Sequence, residues 1–263
     1  MAWSADTKRV LVTGGSAGIG AALAEGFAAQ GAVVGICGRR TEQLATVLDR
    51  LRVHTPGSRS WVVDLADLDG IEAFARRAES DLGGIDVLVN NAGIPKRRRV
   101  QDLTPDVVEA VMAINYFAPV RLTLALLPGL VARGGHVVNI SSIAARLGPP
   151  GEAAYSASKA ALTAWSESMA VDLRDTAVGV HVVNPAVIDT ELFHLPDNDP
   201  AMTEAVEALP PAAMVEPVLR AITENRFEVY VPESFAAITT HKFSDPEAFL
   251  ANTKAYADAS APR

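Results

Sequence analysis

The sequence has 263 residues, of which 49% are apolar and 21% are charged, with 19 glycines and 16 prolines. These values exclude collagen, low-complexity arrays and wholesale disorder, and they favour one large globular domain with a sizeable core. The formal net charge of −8 disfavours non-specific binding to nucleic acid.

Seven short runs rich in β-branched residues recur at intervals that leave room for helices. The strands they predict cover residues 10–13, 32–37, 61–65, 86–90, 136–140, 178–183 and 228–231. Most of these runs are apolar without strict alternation, as expected for strands buried on both faces of a parallel sheet.

Helical patterns fill the intervals between these strands. Ile19, Leu23 and Phe27 repeat every four residues before Gly31, Thr104-Pro105 predicts a helix start, and residues 153–173 predict a long helix. The alternation predicts an α/β fold, a doubly wound (Rossmann) seven-stranded parallel sheet in a single domain over residues 1–263. Two stretches break the rhythm: residues 191–216 hold four prolines, and residues 233–263 form a predicted carboxy-terminal tail that frays at its end.

The amino-terminal segment and the cysteine content bear on the compartment. Residues 1–10 lack an apolar signal segment, and the longest apolar stretch, 114–132, leaves only 11 uncharged residues between Arg121 and Arg133. That run is too short to span a bilayer. The single cysteine forms no intrachain disulfide and fits a reducing compartment. We therefore expect a cytoplasmic protein without a membrane span.

A glycine-rich turn follows the first predicted strand. The chain runs through Gly14, Ser16, Gly18, Ile19 and Gly20, and a helix is predicted to begin at once. Glycines at a helix start let backbone N–H groups and the helix dipole face a phosphate. The spacing G-x-x-x-G-x-G differs from the commoner G-x-G-x-x-G. The turn predicts a dinucleotide pyrophosphate site, with a plain strand-to-helix turn as the alternative.

The end of the second predicted strand bears on which dinucleotide binds. An acid here binds the ribose 2′-hydroxyl of NAD, whereas arginine accommodates the 2′-phosphate of NADP. This chain has no acid there and carries Arg39 and Arg40. Because guanidinium binds phosphate strongly, we expect NADP(H) to be preferred, with NAD(H) as the alternative cofactor. The other interpretation is a solvated basic turn.

Tyr155 and Lys159 lie four residues apart on one predicted helix, so their side chains are neighbours. A tyrosine with a pKa of about 10 is a poor base at pH 7. A cation about 5 Å away, at an effective dielectric of about 20, lowers that pKa by about 2 units. Ser141 and Ser142 end the preceding strand, where a hydroxyl can hold a substrate oxygen. This group predicts proton exchange with a substrate oxygen.

Further short motifs accompany these residues along the chain. The full set is TGGSAGIG (13–20), Asp64, NNAG (90–93), Asn115, VVNISS (137–142), YSASK (155–159) and NPAVIDT (184–190). In this order and spacing the set resembles the short-chain dehydrogenase/reductase family in its shorter-chain form. The family usually has Pro-Gly where this chain has Pro185-Ala186, and alanine lacks access to positive φ, so we expect a local backbone difference there.

The resemblance implies a role for each matching residue. Tyr155 exchanges a proton with the substrate oxygen, Lys159 lowers the tyrosine pKa and binds the nicotinamide ribose, and Ser142 rather than Ser141 polarises the carbonyl. Asn115 holds a water that links Lys159 to solvent. Beyond the glycine turn and the two arginines, the implied cofactor contacts are Asp64 at the adenine, Asn91, Ala92 and Gly93 at the adenine ribose, Ile188 and Thr190 at the carboxamide, and Leu65 and Pro185.

Several of these residues also have purely structural interpretations. Asn115 can kink a helix, Asp64 can cap the next turn, and Ser142 can be a turn hydroxyl. Residues 191–216 correspond to the family's substrate loop, where Phe193, Leu195 and Met202 face either a substrate or the body of the protein.

The remaining features concern charge, metals and assembly. Lys96, Arg97, Arg98 and Arg99 either attract an acidic substrate or a thioester carrier, or form a solvated loop. The five histidines are scattered without pairs at helical spacing, so no metal site is expected. The resemblance implies a homodimer or homotetramer through the helices that carry Met112, Tyr116, Phe117, Trp165 and Met169, and ordinary core packing is the alternative.

Together these patterns predict an oxidoreductase that prefers NADP(H) and interconverts a secondary alcohol and a ketone or aldehyde of a small-molecule substrate. One alternative is an NAD-preferring dehydrogenase of the same chemistry. Another is a non-catalytic cofactor-binding sensor or scaffold, against which the complete Asn, Ser, Tyr and Lys set argues. A sugar-nucleotide epimerase shares Y-x-x-x-K but is associated with a G-x-x-G-x-x-G turn, which this chain lacks.

Overall fold

The centre of the molecule is one parallel sheet of seven strands in the order β3-β2-β1-β4-β5-β6-β7. The computed structural model describes residues 3–195, 197–199 and 206–260. The strands are β1 Arg9–Thr13, β2 Val33–Gly38, β3 Arg59–Val62, β4 Val87–Asn90, β5 His136–Ile140, β6 Gly179–Pro185 and β7 Glu228–Val231. The predicted doubly wound α/β fold is confirmed.

Helices cover both faces of the sheet. They are α1 Gly18–Ala29, α2 Thr41–His54, α3 Ile71–Leu82, α4 Pro105–Met112, α5 Ala118–Arg133, α6 Ala144–Leu147, α7 Ala153–Asp172, α8 Val215–Thr223, α9 Phe235–Ser244 and α10 Pro246–Ser260. One π-helical turn, Ala113–Phe117, joins α4 to α5. Thr104 precedes α4 in extended conformation with Pro105 in the first turn, as predicted.

Successive strand residues point into two apolar layers. In β1, Val10 and Val12 pack in the layer that holds α1, α2 and α8, whereas Leu11 packs with α3, α5 and α7. This alternation explains the near-continuous apolar runs, because both faces of each central strand are buried. The polar carboxyl ends of the strands therefore become the place where a site can form.

The third strand begins two residues earlier than predicted and ends three residues earlier. It lies at the sheet edge and pairs only with β2, from Gly35 opposite Arg59 to Gly38 opposite Val62. Because an edge strand packs against fewer neighbours, Val62 stays exposed. The apolar run at 61–65, which predicted the strand, therefore overlaps the paired residues 59–62 only in part. The Val63 amide still donates to the Gly38 carbonyl at 2.8 Å, and Leu65 is buried in the core.

The predicted carboxy-terminal tail after β7 contains two helices, α9 and α10. The sequence carried a start signal for α10: Asp245 precedes Pro246, and its carboxylate accepts a hydrogen bond from the Ala248 amide at 3.0 Å. Aspartate before a first-turn proline is a favourable helix start. Residues 261–263 lie outside the described chain.

The continuous helix over residues 105–133 is long and apolar enough, by length and composition alone, to cross a membrane. One face of it packs against the sheet through Leu122, Leu126 and Leu130, which are buried. The core helix of a folded domain passes the same test. The expectation that the chain has no membrane span stays a prediction.

Acid should destabilise the protein through a buried histidine pair at the start of β5 and β6. His136 Nδ1 and His181 Nε2 lie 3.0 Å apart, and His181 Nδ1 donates to the Arg226 carbonyl at 2.7 Å. Burial, reinforced by the neighbouring His181, lowers the pKa of His136 from 6.5 to about 4. Since the folded-state pKa lies below the unfolded value, the free energy of unfolding should fall by up to about 3 kcal/mol as pH drops from about 6.5 to 4.

Urea denaturation across this pH range measures the effect. His136→Gln should lose part of the pH dependence, whereas His241→Gln, which changes an exposed histidine, should keep it. Equal pH slopes for the wild type and His136→Gln would contradict the assignment.

Candidate active site

The candidate site lies at the carboxyl edge of the sheet, around the point where β1 and β4 run side by side. The chain leaves β1 toward β2 on one side, and it enters β4 and β5 on the other. Such a switch point opens a crevice between the loops that follow the two strands. The glycine turn after β1 and the Asn91–Gly93 turn after β4 line this crevice.

The glycine turn requires its glycines. Gly14 and Gly18 have φ of +65° and +54°, a region that residues with a Cβ rarely adopt. A Cβ at Gly20 would lie 2.3 Å from the Gly14 carbonyl oxygen. Helix α1 starts without a side-chain cap and without an acid in its first turn. Its first amides are therefore available to an anion, so the turn fits a pyrophosphate.

Thr13 ties the two turns together and was not among the predicted site residues. Its hydroxyl accepts hydrogen bonds from the Asn91 and Ala92 amides, each at 3.0 Å. The Asn91 side chain donates back to the Thr13 carbonyl at 2.8 Å. The only sequence signal for this role was the threonine that opens TGGSAGIG. Asn91 and Ala92 are therefore held beside the glycine turn, and their contact with the adenine ribose stays a prediction.

Arg39 and Arg40 follow β2 and both are exposed. Arg40 pairs with Glu191 at 2.5 Å and lies 3.4 Å from the Ser16 hydroxyl. Arg40 is thus beside the glycine turn but shares its charge with a carboxylate. Among the hydrogen bonds and ion pairs of the described residues, none involves the Arg39 side chain.

Asp64 caps the turn that follows it. Its carboxylate accepts from the Ala66 amide at 3.0 Å, and the side chain is otherwise exposed at the carboxyl edge beyond β3. The neighbouring Leu65 is buried in the core. The capping alternative is therefore observed, and contacts of Asp64 and Leu65 with adenine stay predictions.

Tyr155, Lys159 and Ser142 meet where α7 crosses the end of β5. Lys159 Nζ donates to the Ile140 carbonyl at 2.7 Å and lies 5.9 Å from the centre of the Tyr155 ring. Ser142 forms a side-chain hydrogen bond with Tyr155. Ser141 is instead engaged with the helix, through Thr163 at 2.8 Å and the Lys159 carbonyl at 3.2 Å. The structure therefore brings Ser142, and not Ser141, to the tyrosine.

The π-helical turn aims Asn115 at the same place. The Asn115 side chain accepts from the Ile94 amide at 2.8 Å and donates to the Ile94 carbonyl and the Ser158 hydroxyl, each at 3.0 Å. An inserted π-turn commonly marks a functional position in a helix. The helix-irregularity interpretation of Asn115 is therefore correct, and it coexists with a position beside Lys159. The relayed water stays a prediction.

Gly93 provides the space between these groups. A Cβ at this position would lie 3.1 Å from Asn115 Oδ1 and 3.4 Å from Lys159 Nζ.

Ser158 also belongs to this group of side chains, and sequence reasoning missed it although it lies within YSASK. Its hydroxyl donates to the Tyr155 carbonyl at 2.7 Å and so fixes the Asn115 amide against the helix.

Burial dominates the electrostatics of the catalytic group. Burial raises the pKa of Tyr155 to about 12; the hydrogen bond with Ser142 opposes this shift, and the charge of Glu152 adds to it. Burial lowers the pKa of Lys159 to about 8. The predicted lowering of the tyrosine pKa is therefore wrong for this structure, because Lys159 donates to Ile140 and its own charge is disfavoured by burial. The phenol of Tyr155 therefore keeps its proton at neutral pH.

The segment after β6 closes the far side of the crevice. The Ala186 amide donates to the Val231 carbonyl at 2.8 Å, and the Pro185 carbonyl accepts from Ile143 at 3.0 Å. Ala186 has no positive φ, and the expected backbone difference from the family at Pro185-Ala186 stays a prediction. Ile188 is buried and forms an isolated β-bridge with Leu209. A Cβ at Gly18 would lie 3.0 Å from the Thr190 methyl group, so Thr190 lies against the glycine turn.

The Lys96–Arg99 loop is not a free basic patch. Lys96 and Arg98 form ion pairs with Asp197, and the whole of Arg97 is only 7% exposed. The solvated-loop interpretation does not fit Arg97, which is buried, and attraction of an acidic substrate or a thioester carrier stays a prediction. In the predicted substrate loop, Leu195 is exposed, whereas Met202 and the Phe193 side chain lie outside what the structure describes.

Residues 8–200 match the sequence model of the family described as short chain dehydrogenase. Dehydrogenase/reductase SDR family member 7B of Xenopus tropicalis is 34% identical over 242 residues, which cover 84% of this chain and 76% of that protein. The mouse protein of the same name is 41% identical over 188 residues, 70% of this chain and 58% of its own length. Nodulation protein G of Rhizobium meliloti (strain 1021) is 35% identical over 186 residues, covering 70% and 75%.

Solved structures agree with this assignment. A short chain dehydrogenase from Burkholderia cenocepacia J2315 in complex with NADP is 31% identical, with a TM-score of 0.78 over 87% of this chain and 97% of that one. A short chain dehydrogenase/reductase from Burkholderia phymatum in complex with NAD has a TM-score of 0.82 at 23% identity, over 94% and 96%, and this likeness shows the fold. With the residues gathered at the carboxyl edge, these matches show that the chain belongs to the short-chain dehydrogenase/reductase family and is an oxidoreductase acting on CH–OH groups with NAD or NADP.

Proposed function

We propose that the protein interconverts a secondary alcohol and a ketone or aldehyde on a small molecule, with NADP(H) as the preferred cofactor. The observation that carries the proposal is the meeting of Tyr155, Ser142 and Lys159 beside a glycine turn built for a phosphate.

The side chains divide the work in the direction of carbonyl reduction. Bound NADPH supplies the hydride. The Ser142 hydroxyl holds the substrate oxygen, and Tyr155, whose burial keeps its proton in place, donates that proton as negative charge develops on the oxygen. Lys159 has three donor hydrogens, of which one binds the Ile140 carbonyl, so two remain for the ribose and the tyrosine oxygen.

The preference for NADP rests on the charges after β2. A 2′-phosphate bound beyond this strand would lie near Arg39 and Arg40, and no acid stands there to bind a ribose hydroxyl instead. Because Glu191 already forms an ion pair with Arg40, we expect Arg39 to contribute most of the preference for NADP(H) over NAD(H). An NAD-preferring enzyme is the second candidate, since Glu191 weakens the positive field at this point.

Arg39→Asp should shift the cofactor preference toward NAD. The change removes a phosphate partner and adds a carboxylate that repels phosphate and accepts from a ribose hydroxyl, so the ratio of NADPH to NADH affinity should fall by about 100-fold. Fluorescence titration of the purified protein with each cofactor measures this ratio. Arg59→Asp, which changes an exposed arginine on β3, is the matched control. An unchanged ratio in Arg39→Asp would refute the role of this residue.

We also propose a homodimer or homotetramer assembled through α4, α5 and α7. Phe117, Leu124 and Val131 recur every seven residues along the continuous helix and are exposed, as is Val171 on α7. A stripe of this kind on adjacent helices is suited to pairing with a second copy. Leu124→Asp should convert the assembly to a monomer in sedimentation experiments, whereas Val53→Asp on α2 should leave it unchanged; a wild type that sediments as a monomer contradicts the proposal.

Two further assignments belong to the proposal. Residues 191–216 are proposed to form the substrate loop, supported by the contact of Thr190 with the glycine turn and of Glu191 with Arg40. A cytoplasmic location is proposed because the chain has a single cysteine, Cys37, which forms no intrachain disulfide and fits a reducing compartment.

A further inference from the structure

The loop after β4 and the segment after β6 are paired along their length. Residues 96–99 and residues 197–199 together are called the clasp below. The Arg97 amide donates to Asn198 Oδ1 at 2.8 Å, the Asp199 amide donates to the Arg97 carbonyl at 2.9 Å, and Arg97 Nε donates to the Asp199 carbonyl at 2.9 Å. These contacts join positions about a hundred residues apart in the sequence.

Asp197 forms ion pairs with two of the four cations, Lys96 and Arg98. Its carboxylate binds Lys96 Nζ at 2.5 Å and Arg98 at 2.8 Å, one oxygen to each cation, and its carbonyl accepts a second bond from Lys96 at 3.0 Å. The two cations flank a single carboxylate, which lowers the pKa of Asp197 and keeps it ionised. An anionic substrate that binds Lys96 or Arg98 would first have to displace Asp197.

The clasp also touches the start of the catalytic helix. The Arg98 amide donates to the Gly151 carbonyl at 2.6 Å, one residue before Glu152 and four before Tyr155. Glu152 is a neighbour of Tyr155 at helical spacing, and the electrostatic influence of Arg97 reaches Glu152. The loop at 96–99 thus stands between the segment after β6 and the residues that precede the tyrosine.

We propose that Asp197 is a positioning residue, which by engaging Lys96 and Arg98 holds segment 197–199 against the start of α7 and closes the substrate side of the site. The proposal rests on the proposed function, because it concerns the same site. Asp197 itself takes no part in proton or hydride transfer. Its effect should therefore fall on KM for the carbonyl substrate and leave kcat and cofactor affinity nearly unchanged.

Hydrogen exchange followed by mass spectrometry tests the clasp without any need for turnover. Asp197→Asn should speed amide exchange in peptides covering 96–99 and 197–199 by roughly three- to tenfold, whereas Asp197→Glu, which keeps the charge, should exchange like the wild type. Raising the ionic strength from about 0.02 M to about 0.5 M should accelerate exchange there in the wild type but not in Asp197→Asn. Asp49→Asn, an exposed acid on α2, is the matched control. Unchanged exchange in Asp197→Asn overturns the proposal.

Kinetics test the role of the clasp in the reaction. Asp197→Asn should raise KM for a carbonyl substrate by roughly three- to tenfold, with kcat and the NADPH Kd within about twofold of the wild type, and Asp197→Glu should restore KM. Faster exchange with an unchanged KM overturns the proposal, because the clasp would then hold nothing that the substrate meets. A wild type that binds NADPH but turns over no carbonyl defeats the proposed function instead, and the exchange rates still decide whether Asp197 holds the clasp.

Discussion

Tyr155→Phe should lower kcat for carbonyl reduction by about 10²–10⁴-fold while the NADPH Kd stays within about twofold of the wild type. The substitution removes only the hydroxyl, and that hydroxyl is the phenolic group in side-chain hydrogen-bond contact with Ser142. Burial raises the tyrosine pKa to about 12, so the proton is present at neutral pH and no solvent molecule easily replaces it. Lys159 keeps its bond to the Ile140 carbonyl, so the cofactor side of the site is preserved.

A matched hydroxyl deletion separates catalysis from folding. Tyr230→Phe removes a phenol that bonds Glu228 at 3.1 Å within β7 and is not in hydrogen-bond contact with Ser142, Tyr155 or Lys159. It should change kcat less than twofold, and both variants should unfold at similar urea concentrations. Turnover in Tyr155→Phe close to that of the wild type would remove Tyr155 from its role as the proton donor.

The second large effect that we expect is on cofactor affinity: Gly20→Ala should weaken NADPH binding by about 100-fold or more. The new Cβ would lie 2.3 Å from the Gly14 carbonyl oxygen and 2.5 Å from Asn91 Nδ2. The closer neighbour is backbone, which cannot swing aside as a side chain can, so the turn that presents the first amides of α1 has to open. We expect the variant to lose stability as well, by about 1–3 kcal/mol.

Gly26→Ala on the same helix controls for lost stability. Its Cβ would lie 2.4 Å from the Val215 side chain, at the contact between α1 and α8. This variant should be destabilised by overpacking and should still bind NADPH with an affinity near that of the wild type. Fluorescence titration of both variants decides the point, and NADPH affinity in Gly20→Ala equal to that in Gly26→Ala would contradict the account of the turn.

Sequence reasoning located the parts of the site that depend on local pattern. The strand before Gly14, the turn itself and the helix after Gly18 are encoded within about twenty consecutive residues. Tyr155 and Lys159 are likewise neighbours on one helix. The alternation of strands and helices predicts a parallel sheet. Because such a sheet brings the carboxyl ends of its strands to one edge, the motifs that follow the strands lie close together there.

Features that depend on distant contacts were beyond reach of the sequence. The clasp joins Lys96 to Asp197, and nothing near either residue identifies the other as its partner. The pKa of Tyr155 depends on burial, which a helical spacing of four does not reveal. The π-helical turn at Asn115 arises inside a stretch whose composition reads as an ordinary helix. The start of α10, in contrast, has a local sequence signal, because Asp245 directly precedes Pro246.

Transfer of deuterium from C4-labelled NADPH to a ketone tests the central claim most directly. The purified protein is given a panel of carbonyl compounds, and mass spectrometry measures deuterium at the former carbonyl carbon. The account predicts an alcohol with one deuterium and an equal amount of NADP⁺, formed by the wild type and not by Tyr155→Phe. NADPH that binds tightly while no compound in the panel gains deuterium would contradict a reductase and favour a non-catalytic cofactor-binding protein.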